Sequence, residues 1–163
     1  IDDRISGIQM KNSILTRALP EHAESLTEIT LAGKRHWNYP ERWIELWRPS
    51  LNISADYISA HETWMCVLNG RPIAYYSLSE NEEGLWLDNL WVLPEYIGKG
   101  LGRQLFEHAR VQSRLRGASV LNIEADPNAE AFYQHMGAQR VGEHRYELEG
   151  QPRILPVLTY KLS

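Results

Sequence analysis

Apolar and polar positions along the chain follow two periods, one typical of strands and one typical of helices. Runs rich in β-branched and aromatic residues predict seven strands: 14–19, 62–68, 72–78, 85–93, 119–124, 140–148 and 154–162. Apolar residues three or four positions apart, with proline, serine or glycine at the ends, predict five helices: 20 to a stop at Gly33, 40–47 ended by Pro49, 54–60, 101–115, and 126 to a stop at Gly137.

The order of these elements predicts an α+β fold. Asn69-Gly70 joins two strands and is typical of a hairpin, because both residues tolerate positive φ. A second turn at 81–84 leads to the central strand, which gives three successive antiparallel strands. The strand-helix-strand connection from 85 to 124 is long enough for a right-handed parallel crossover. We therefore expect a mixed, mostly antiparallel sheet of six to seven strands.

A glycine-rich loop separates the central strand from the helix that follows it. Gly98, Gly100 and Gly102 allow the backbone to turn tightly and to approach a ligand closely. The unpaired N–H groups at the start of the helix, together with its dipole, favour an anion such as a pyrophosphate. The spacing does not fit a Walker loop, because Gly100 follows Lys99, and it does not fit a dinucleotide fingerprint, because Arg103 takes the last glycine position.

Two segments resemble the GNAT superfamily of acyl-CoA N-acyltransferases. Leu90-Trp-Val92-Leu-Pro94 matches the family's strand pattern Leu-x-Val-x-Pro. Gly100-Leu-Gly102 matches the loop pattern Gln/Arg-x-x-Gly-x-Gly/Ala, with Ile97 where the family usually has Arg or Gln. About 30 residues later, the segment 128–138 resembles a family segment that contains Asn, Phe-Tyr and Gly, with alanine in place of its final aromatic residue. The resemblance extends from about residue 62 to 143.

The resemblance implies a fold with helices on both faces of the sheet, whose central parallel strands splay apart to admit the pantetheine arm. It implies acetyl-CoA as the acyl donor, and we expect no metal. The loop amides would hold the pyrophosphate, and Lys99 and Arg103 would either add charge there or remain solvated. Asn128 would bind the pantetheine arm or cap a helix. The expected cofactor-binding residues are Leu90, Trp91, Val92, Ile97, Gly98, Lys99, Gly100, Leu101, Gly102, Arg103, Asn128 and Tyr133.

Acyl transfer from a thioester to an amine needs a neutral amine, a polarised carbonyl and a proton for the thiolate. Tyr133 matches the family tyrosine beside the sulfur and is the expected acid; the alternative is a half-buried core tyrosine. Asp88 lies among aromatic neighbours and is a candidate base, although it could instead be bound by backbone amides. Glu124, at the end of the parallel strand, is its rival. Cys66 lies in an apolar strand without a nearby base, so we expect direct attack in a ternary complex.

Alternation along the central strand places Asp88, Leu90 and Val92 on one face, and Asn89 and Trp91 on the other.

The segment between the first two helices contains His36, Trp37 and Tyr39. In similar proteins this region forms part of the acceptor pocket, so these three residues are candidate substrate-binding residues. Alternatively, the two larger aromatics fix the loop to the core and the histidine is solvated. We expect an N-acetyltransferase acting on a primary amine of a small molecule or peptide. The alternatives are a non-catalytic acyl-CoA sensor or interaction module, and a Rossmann-type oxidoreductase, which the glycine spacing and antiparallel strands disfavour.

Composition restricts the binding partners and the cellular compartment that we expect. The chain has 163 residues with 17 basic and 21 acidic side chains, a net charge of −4. Its charges are scattered, so we expect neither nucleic-acid nor membrane binding. A single cysteine, no apolar membrane-length run and no signal-peptide pattern predict a cytoplasmic protein. We expect one domain over 10–163, preceded by an added or upstream extension at 1–9, and the aromatic-rich face is compatible with a homodimer.

Overall fold

The computed structural model describes residues 12–162, so the expected extension at 1–9 lies outside the described residues. The strands are β1 (Ser13–Arg17), β2 (Glu62–Leu68), β3 (Arg71–Asn81), β4 (Gly84–Val92), β5 (Val120–Glu124), β6 (Gln139–Leu148) and β7 (Gln151–Lys161). The helices are α1 (Ala23–His36), α2 (Glu41–Leu51), α3 (Ala55–Ala60), α4 (Leu101–Leu115) and α5 (Glu130–His135). Short 3₁₀ turns cover Pro20–His22, Pro94–Tyr96 and Pro127–Ala129.

The strands form a seven-stranded sheet in the order β1-β2-β3-β4-β5-β7-β6. β4 and β5 pair in parallel, whereas β1 with β2, β5 with β7, and β6 with β7 pair antiparallel. The parallel register covers Leu85↔Leu121 and Trp86↔Asn122, at the start of both strands. β5 pairs with β7 along its whole length. The predicted mixed, mostly antiparallel α+β fold is confirmed.

The chain divides into two compact units. Within the described residues, the first comprises 12–77 together with Asn89–Glu107, and the second comprises Leu78–Asp88 together with 108–162. Within residues 12–162, no helix combines the length and the hydropathy that a membrane crossing requires.

The first unit buries the apolar face of α1 together with β3. Leu26 and Ile29 of α1 are buried at the helical spacing that predicted this helix. Thr30 lies on the same face, and its hydroxyl contacts the Tyr75 hydroxyl of β3 at 2.5 Å. It also donates to the Leu26 carbonyl at 3.0 Å. Both polar groups are therefore satisfied inside an apolar layer.

In the second unit, the core lies along β5 and β7. Leu121, Ile123 and Leu158 are almost completely buried, as the period-two pattern of these strands predicted. Ala138 closes this core after α5, and its amide donates to the Tyr133 carbonyl at 3.0 Å. This bond fixes the end of the helix that carries Tyr133.

The predicted helix stop at Gly33 is wrong. α1 continues to His36 and ends where Asn38 adopts a left-handed conformation, φ 61°. Gly33 instead allows a close approach, because a Cβ there would lie 2.4 Å from Cε3 of Trp91. His36 is consequently the last residue of a helix and does not lie in the predicted loop.

Two other predicted boundaries are also wrong. α2 runs through Pro49 to Leu51, because a proline near a helix end removes only one late hydrogen bond. β7 begins at Gln151 and not at 154, because Glu149 and Gly150, with φ 52° and 77°, close a two-residue hairpin. By contrast, the predicted hairpin at Asn69-Gly70 is confirmed, with φ 49° and 83°.

Candidate functional site

The glycine loop of the first unit has the geometry of an anion cradle. Gly98 and Gly100 both have φ 85°, a conformation that favours glycine. α4 begins at Leu101, and the Gln104 amide donates to the Gly100 carbonyl at 3.0 Å. The amides at 101–103 precede this first helical bond, so they point out of the start of the helix. A phosphate could therefore bind to backbone donors at the positive end of a 15-residue helix.

The side chains around this loop differ in exposure. Ile97 is 48% exposed, and Lys99 is also exposed. Arg103 is half-buried on the first turn of α4. Ile97 cannot donate a side-chain hydrogen bond, so on this loop and the first turn of α4 the cationic side chains are those of Lys99 and Arg103.

The end of β4 leads into this loop. Leu90 and Val92 are half-buried, and after the strand the Leu93 amide donates to the Ile73 carbonyl at 2.9 Å. Trp91 points to the other face of the strand, as alternation requires, and its ring packs on Gly33 of α1. Of the predicted cofactor-binding residues, Trp91 can therefore contact the cofactor through its backbone, because its side chain packs against α1.

A polar network that the sequence did not predict lies on the Trp91 side of β4. Trp91 Nε1 donates to Asn89 Oδ1 at 3.2 Å, and Asn89 Nδ2 donates to Ser77 Oγ at 3.0 Å. The Tyr57 hydroxyl lies 2.8 Å from Ser77 Oγ. The Tyr57 ring stacks on the His61 ring, with centroids 4.1 Å apart. In β3, Ser77 and Ser79 alternate with Leu78, and that pattern was the available signal.

The α1–α2 region forms an aromatic box around a lysine. We define the aromatic box as the rings of Tyr39, Trp47 and Trp91, whose centroids lie 5.1, 4.5 and 5.9 Å from Lys34 Nζ. The Trp43 ring contacts the Trp47 ring edge-to-face, with centroids 5.8 Å apart. Of the three predicted substrate residues, Tyr39 belongs to this box.

His36 and Trp37 lie outside the box, in edge contact with each other at 5.0 Å. Both are exposed, Trp37 at 38%.

Tyr133 lies in the second unit, on α5, and is only 6% exposed. Burial raises the pKa of its phenol well above the ordinary value near 10, and the charge of Asp126 raises it further. The hydroxyl is therefore protonated throughout the neutral and mildly alkaline range.

Asp126 caps the short turn before α5. Its Oδ1 accepts from both the backbone amide and the side-chain amide of Asn128, each at 2.9 Å. The capping residue is thus Asp126, and Asn128 is an exposed residue bonded to the cap.

The two candidate bases are both exposed. Asp88 is the last residue of β4 within the second unit, and Glu124 ends β5. The aromatic neighbour Trp86 does not enclose Asp88, because its Nε1 donates to Asn81 Oδ1 in the turn before the strand, at 3.0 Å. Each carboxylate is accessible to water.

Comparison with known proteins identifies similar acetyltransferases. The model of the Acetyltransferase (GNAT) family matches residues 23–138, more than half of the chain. The peptidyl-lysine N-acetyltransferase YjaB of Salmonella typhimurium is 27% identical over 150 residues, which cover 81% of this chain and 98% of that protein.

Solved structures show the same fold. A GCN5-related N-acetyltransferase from Rhodopseudomonas palustris superimposes with a TM-score of 0.80 at 24% identity, covering 94% of this chain and 98% of the other. The PaiA N-acetyltransferase from Thermoplasma acidophilum, solved in complex with coenzyme A, gives a TM-score of 0.74 at 17% identity, covering 91% and 98%.

Proposed function

Because the chain belongs to the GNAT acetyltransferase family, we propose that it transfers an acetyl group from acetyl-CoA to a primary amine of a small molecule or peptide. The glycine loop carries the proposal. Its two left-handed glycines and the free first amides of α4 provide donors for a pyrophosphate without any side chain. The coenzyme A complex of the Thermoplasma neighbour supports the same donor class.

In this proposal, the glycine loop and the end of β4 bind most of the donor. The amides at 101–103 bind the pyrophosphate, and Lys99 and Arg103 add positive charge beside it. The backbone of Leu90 and Val92 binds the amides of the pantetheine arm and orients the acetyl carbonyl. Asn128, in the 3₁₀ turn before α5, binds the same pantetheine arm. Orienting the thioester in this way accounts for part of the rate acceleration, because the amine then attacks a carbonyl that is held in place.

Tyr133 is the proposed acid. When the amine nitrogen bonds to the carbonyl carbon, the carbon–sulfur bond breaks and negative charge develops on sulfur. A protonated phenol can donate a hydrogen bond to that sulfur. Because its pKa is raised, the phenol stabilises the thiolate by hydrogen bonding more readily than by complete proton transfer.

Asp88 is the proposed base. The acceptor enters as an ammonium ion and must lose a proton before it attacks. An exposed carboxylate can accept that proton through water and pass it to the solvent. Glu124 remains the alternative, and the pH–rate profiles of Asp88→Asn and Glu124→Gln separate the two: the variant that lacks the base loses the acidic limb. His36, Trp37 and Tyr39 are the proposed acceptor-binding residues.

Titration calorimetry with acetyl-CoA, using NAD as the control ligand, tests the proposal. Selective binding of acetyl-CoA, followed by CoA release with at least one amine, supports it. The amine panel should include a lysine-containing peptide, because one relative is named a peptidyl-lysine N-acetyltransferase. Binding without turnover would favour the non-catalytic acyl-CoA sensor, and no binding at millimolar concentration would refute both.

A further inference from the structure

β6 forms one edge of the sheet. It pairs with β7 on one side, and within residues 12–162 no strand covers its other side. Its residues 139–145 are all exposed. An edge strand presents backbone N–H and C=O groups that can pair with another chain. The outer side of β6 is therefore a surface to which a second strand can add.

The register of the β6–β7 hairpin shows which backbone groups face this outer side. Glu143 lies opposite Pro156 of β7, and the Pro156 carbonyl accepts from the Ala125 amide, just after β5, at 2.9 Å. The pair of Glu143 and Pro156 is therefore not hydrogen-bonded, so the backbone N–H and C=O of Glu143 point to the open edge. Because the two kinds of pair alternate along an antiparallel ladder, those of Arg145 and Glu147 point the same way.

The charges at these outward-facing positions match those of a second copy of β6. Two identical antiparallel strands are related by a two-fold axis perpendicular to the sheet, and opposed side chains lie on the same face. With this axis at His144, Glu143 lies opposite Arg145 of the second copy, and Arg145 lies opposite Glu143 of the second copy. Opposite charges directly across a ladder stabilise strand pairing.

The neighbouring registers oppose like charges. An axis at Arg145 brings the two Arg145 side chains together and places Glu143 against Glu147, and an axis at Glu143 brings the two Glu143 side chains together. An axis two residues after His144 pairs Arg145 with Glu147, but it shortens the overlap and places Glu143 against Glu149 in the turn. Among these registers, the axis at His144 is the one that brings no like charges together.

The other face of β6 fits the same register. Gly142 lies there opposite Tyr146 of the second copy, and a Cβ at Gly142 would meet no atom within 4 Å, so the space beside this glycine is open. An aromatic ring opposite an edge glycine covers its exposed backbone. Tyr146 stacks on His144, with ring centroids 6.0 Å apart. The β-bulge between Arg140 and Gly142 lies before the paired segment.

We propose that two copies of this chain associate by antiparallel pairing of their β6 strands, with the two-fold axis at His144. The pairs of Glu143 and Arg145 contribute about four backbone hydrogen bonds across the axis. Glu143 already contacts Arg145 Nε at 2.5 Å and Arg140 Nη2 at 2.9 Å within its own chain. Association therefore joins these charges into one network, which stabilises more than an isolated surface pair does. The proposal does not depend on acetyl transfer, because all of these residues belong to the second unit.

Cysteine cross-linking tests the register. In the proposed dimer His144 opposes itself at a non-hydrogen-bonded site, where Cα atoms lie about 4.5 Å apart, within the range of a disulfide. His144→Cys should therefore form a covalent dimer on mild oxidation, seen on a gel without reductant. Tyr146→Cys is the matched control on the same face, since its two copies would lie more than about 13 Å apart and stay unlinked. The native protein controls for Cys66, which is buried.

Sedimentation velocity over a concentration series tests the charge pairing. Arg145→Glu places a glutamate opposite Glu143 at both pairs, so the dissociation constant of the dimer should rise roughly tenfold or more. Glu143→Arg/Arg145→Glu exchanges the two charges and should return the constant close to the native value. Arg48→Glu is the control for net charge, because Arg48 lies on α2 in an exposed pair with Glu45 at 2.6 Å. It should leave the dissociation constant unchanged.

Three results would overturn the proposal. A native chain that sediments as a monomer at millimolar concentration would mean that the edge charges prevent strand pairing. Unchanged association in Arg145→Glu would mean that another surface forms the dimer. Cross-linking of Tyr146→Cys in place of His144→Cys, or of neither variant, would exclude the register. Thermal melting establishes that each variant is folded.

Discussion

Substituting Gly33 by alanine tests whether the contact between α1 and Trp91 is as close as the structure indicates. In an ordinary helix interior, alanine is more favourable than glycine by about 0.5–1 kcal/mol. At Gly33 the new Cβ would lie 2.4 Å from Cε3 and 2.8 Å from Cζ3 of Trp91. The ring cannot move freely, because Trp91 Nε1 is bonded to Asn89 and its face contacts Lys34.

The magnitude follows from two opposing terms. Restoring normal van der Waals separation requires the ring or the helix to move by roughly 1 Å, and overpacking of this kind typically costs about 1–3 kcal/mol. After the gain in helix propensity is subtracted, we expect Gly33→Ala to lower the free energy of unfolding by about 1 kcal/mol, in a range of roughly 0–2.5 kcal/mol. For a chain of this size, each kcal/mol corresponds to about 2–4 °C in Tm.

Calorimetric or circular-dichroism melting measures this change. Gly142→Ala is the matched control, since a Cβ there meets no atom within 4 Å, and its Tm should stay nearly constant. In a Trp91→Leu background, Gly33→Ala should lower the Tm much less than it does in the native chain, because the clash is removed. A Tm that rises in Gly33→Ala would refute the reasoning, since it would mean that Gly33 behaves as an unconstrained helical glycine.

Three further predictions concern the loop and two buried tyrosines. Gly100→Val should weaken acetyl-CoA binding at least tenfold in calorimetry, because φ 85° is unfavourable for a β-branched residue and the side chain would enter the cradle. Gly150→Val is the control variant. It has similar backbone strain, with φ 77° at a hairpin tip, and should bind acetyl-CoA normally. Tyr133→Phe should lower kcat at least tenfold with an acetyl-CoA Kd within twofold of native, and unchanged kcat would remove Tyr133 from the acid role. Burial, followed by the charge of Glu62, raises the pKa of Tyr76 above its unfolded value near 10, so its contribution to stability is present below about pH 10 and lost as the pH rises above it. Tm should therefore fall less steeply between pH 9 and 11 in Tyr76→Phe, and an identical fall would contradict this assignment.

Local patterns determined the order and type of the elements. The seven strands, the hairpin at Asn69-Gly70 and the amphipathic helix after Gly100 follow from periodicity and turn chemistry within a few residues. One error arose because a residue acts at a distance in the sequence. Gly33 was interpreted as a helix stop, but its role depends on Trp91, which lies 58 positions later in the chain.

The candidate site likewise contains features that the sequence predicted and features that it did not. The glycine loop was predictable because its donors are backbone amides whose directions depend on consecutive residues. The network of Asn89, Ser77 and Tyr57 was not, because its members come from β4, β3 and α3 and meet only through tertiary packing. The exposure of Asp88 was also not predictable from its aromatic neighbours, because Trp86 bonds to the preceding turn.

The sequence by itself determined the family, the fold class and the position of the glycine loop before α4, since these depend on short motifs and periodic patterns. Only the tertiary structure decided that Lys34 lies within the rings of Tyr39, Trp47 and Trp91, and that the Tyr133 phenol is buried. The physical reason is that cation–π attraction and desolvation depend on distances between side chains that are remote in sequence. No local pattern encodes such distances, so these side-chain environments arise only when the chain is folded.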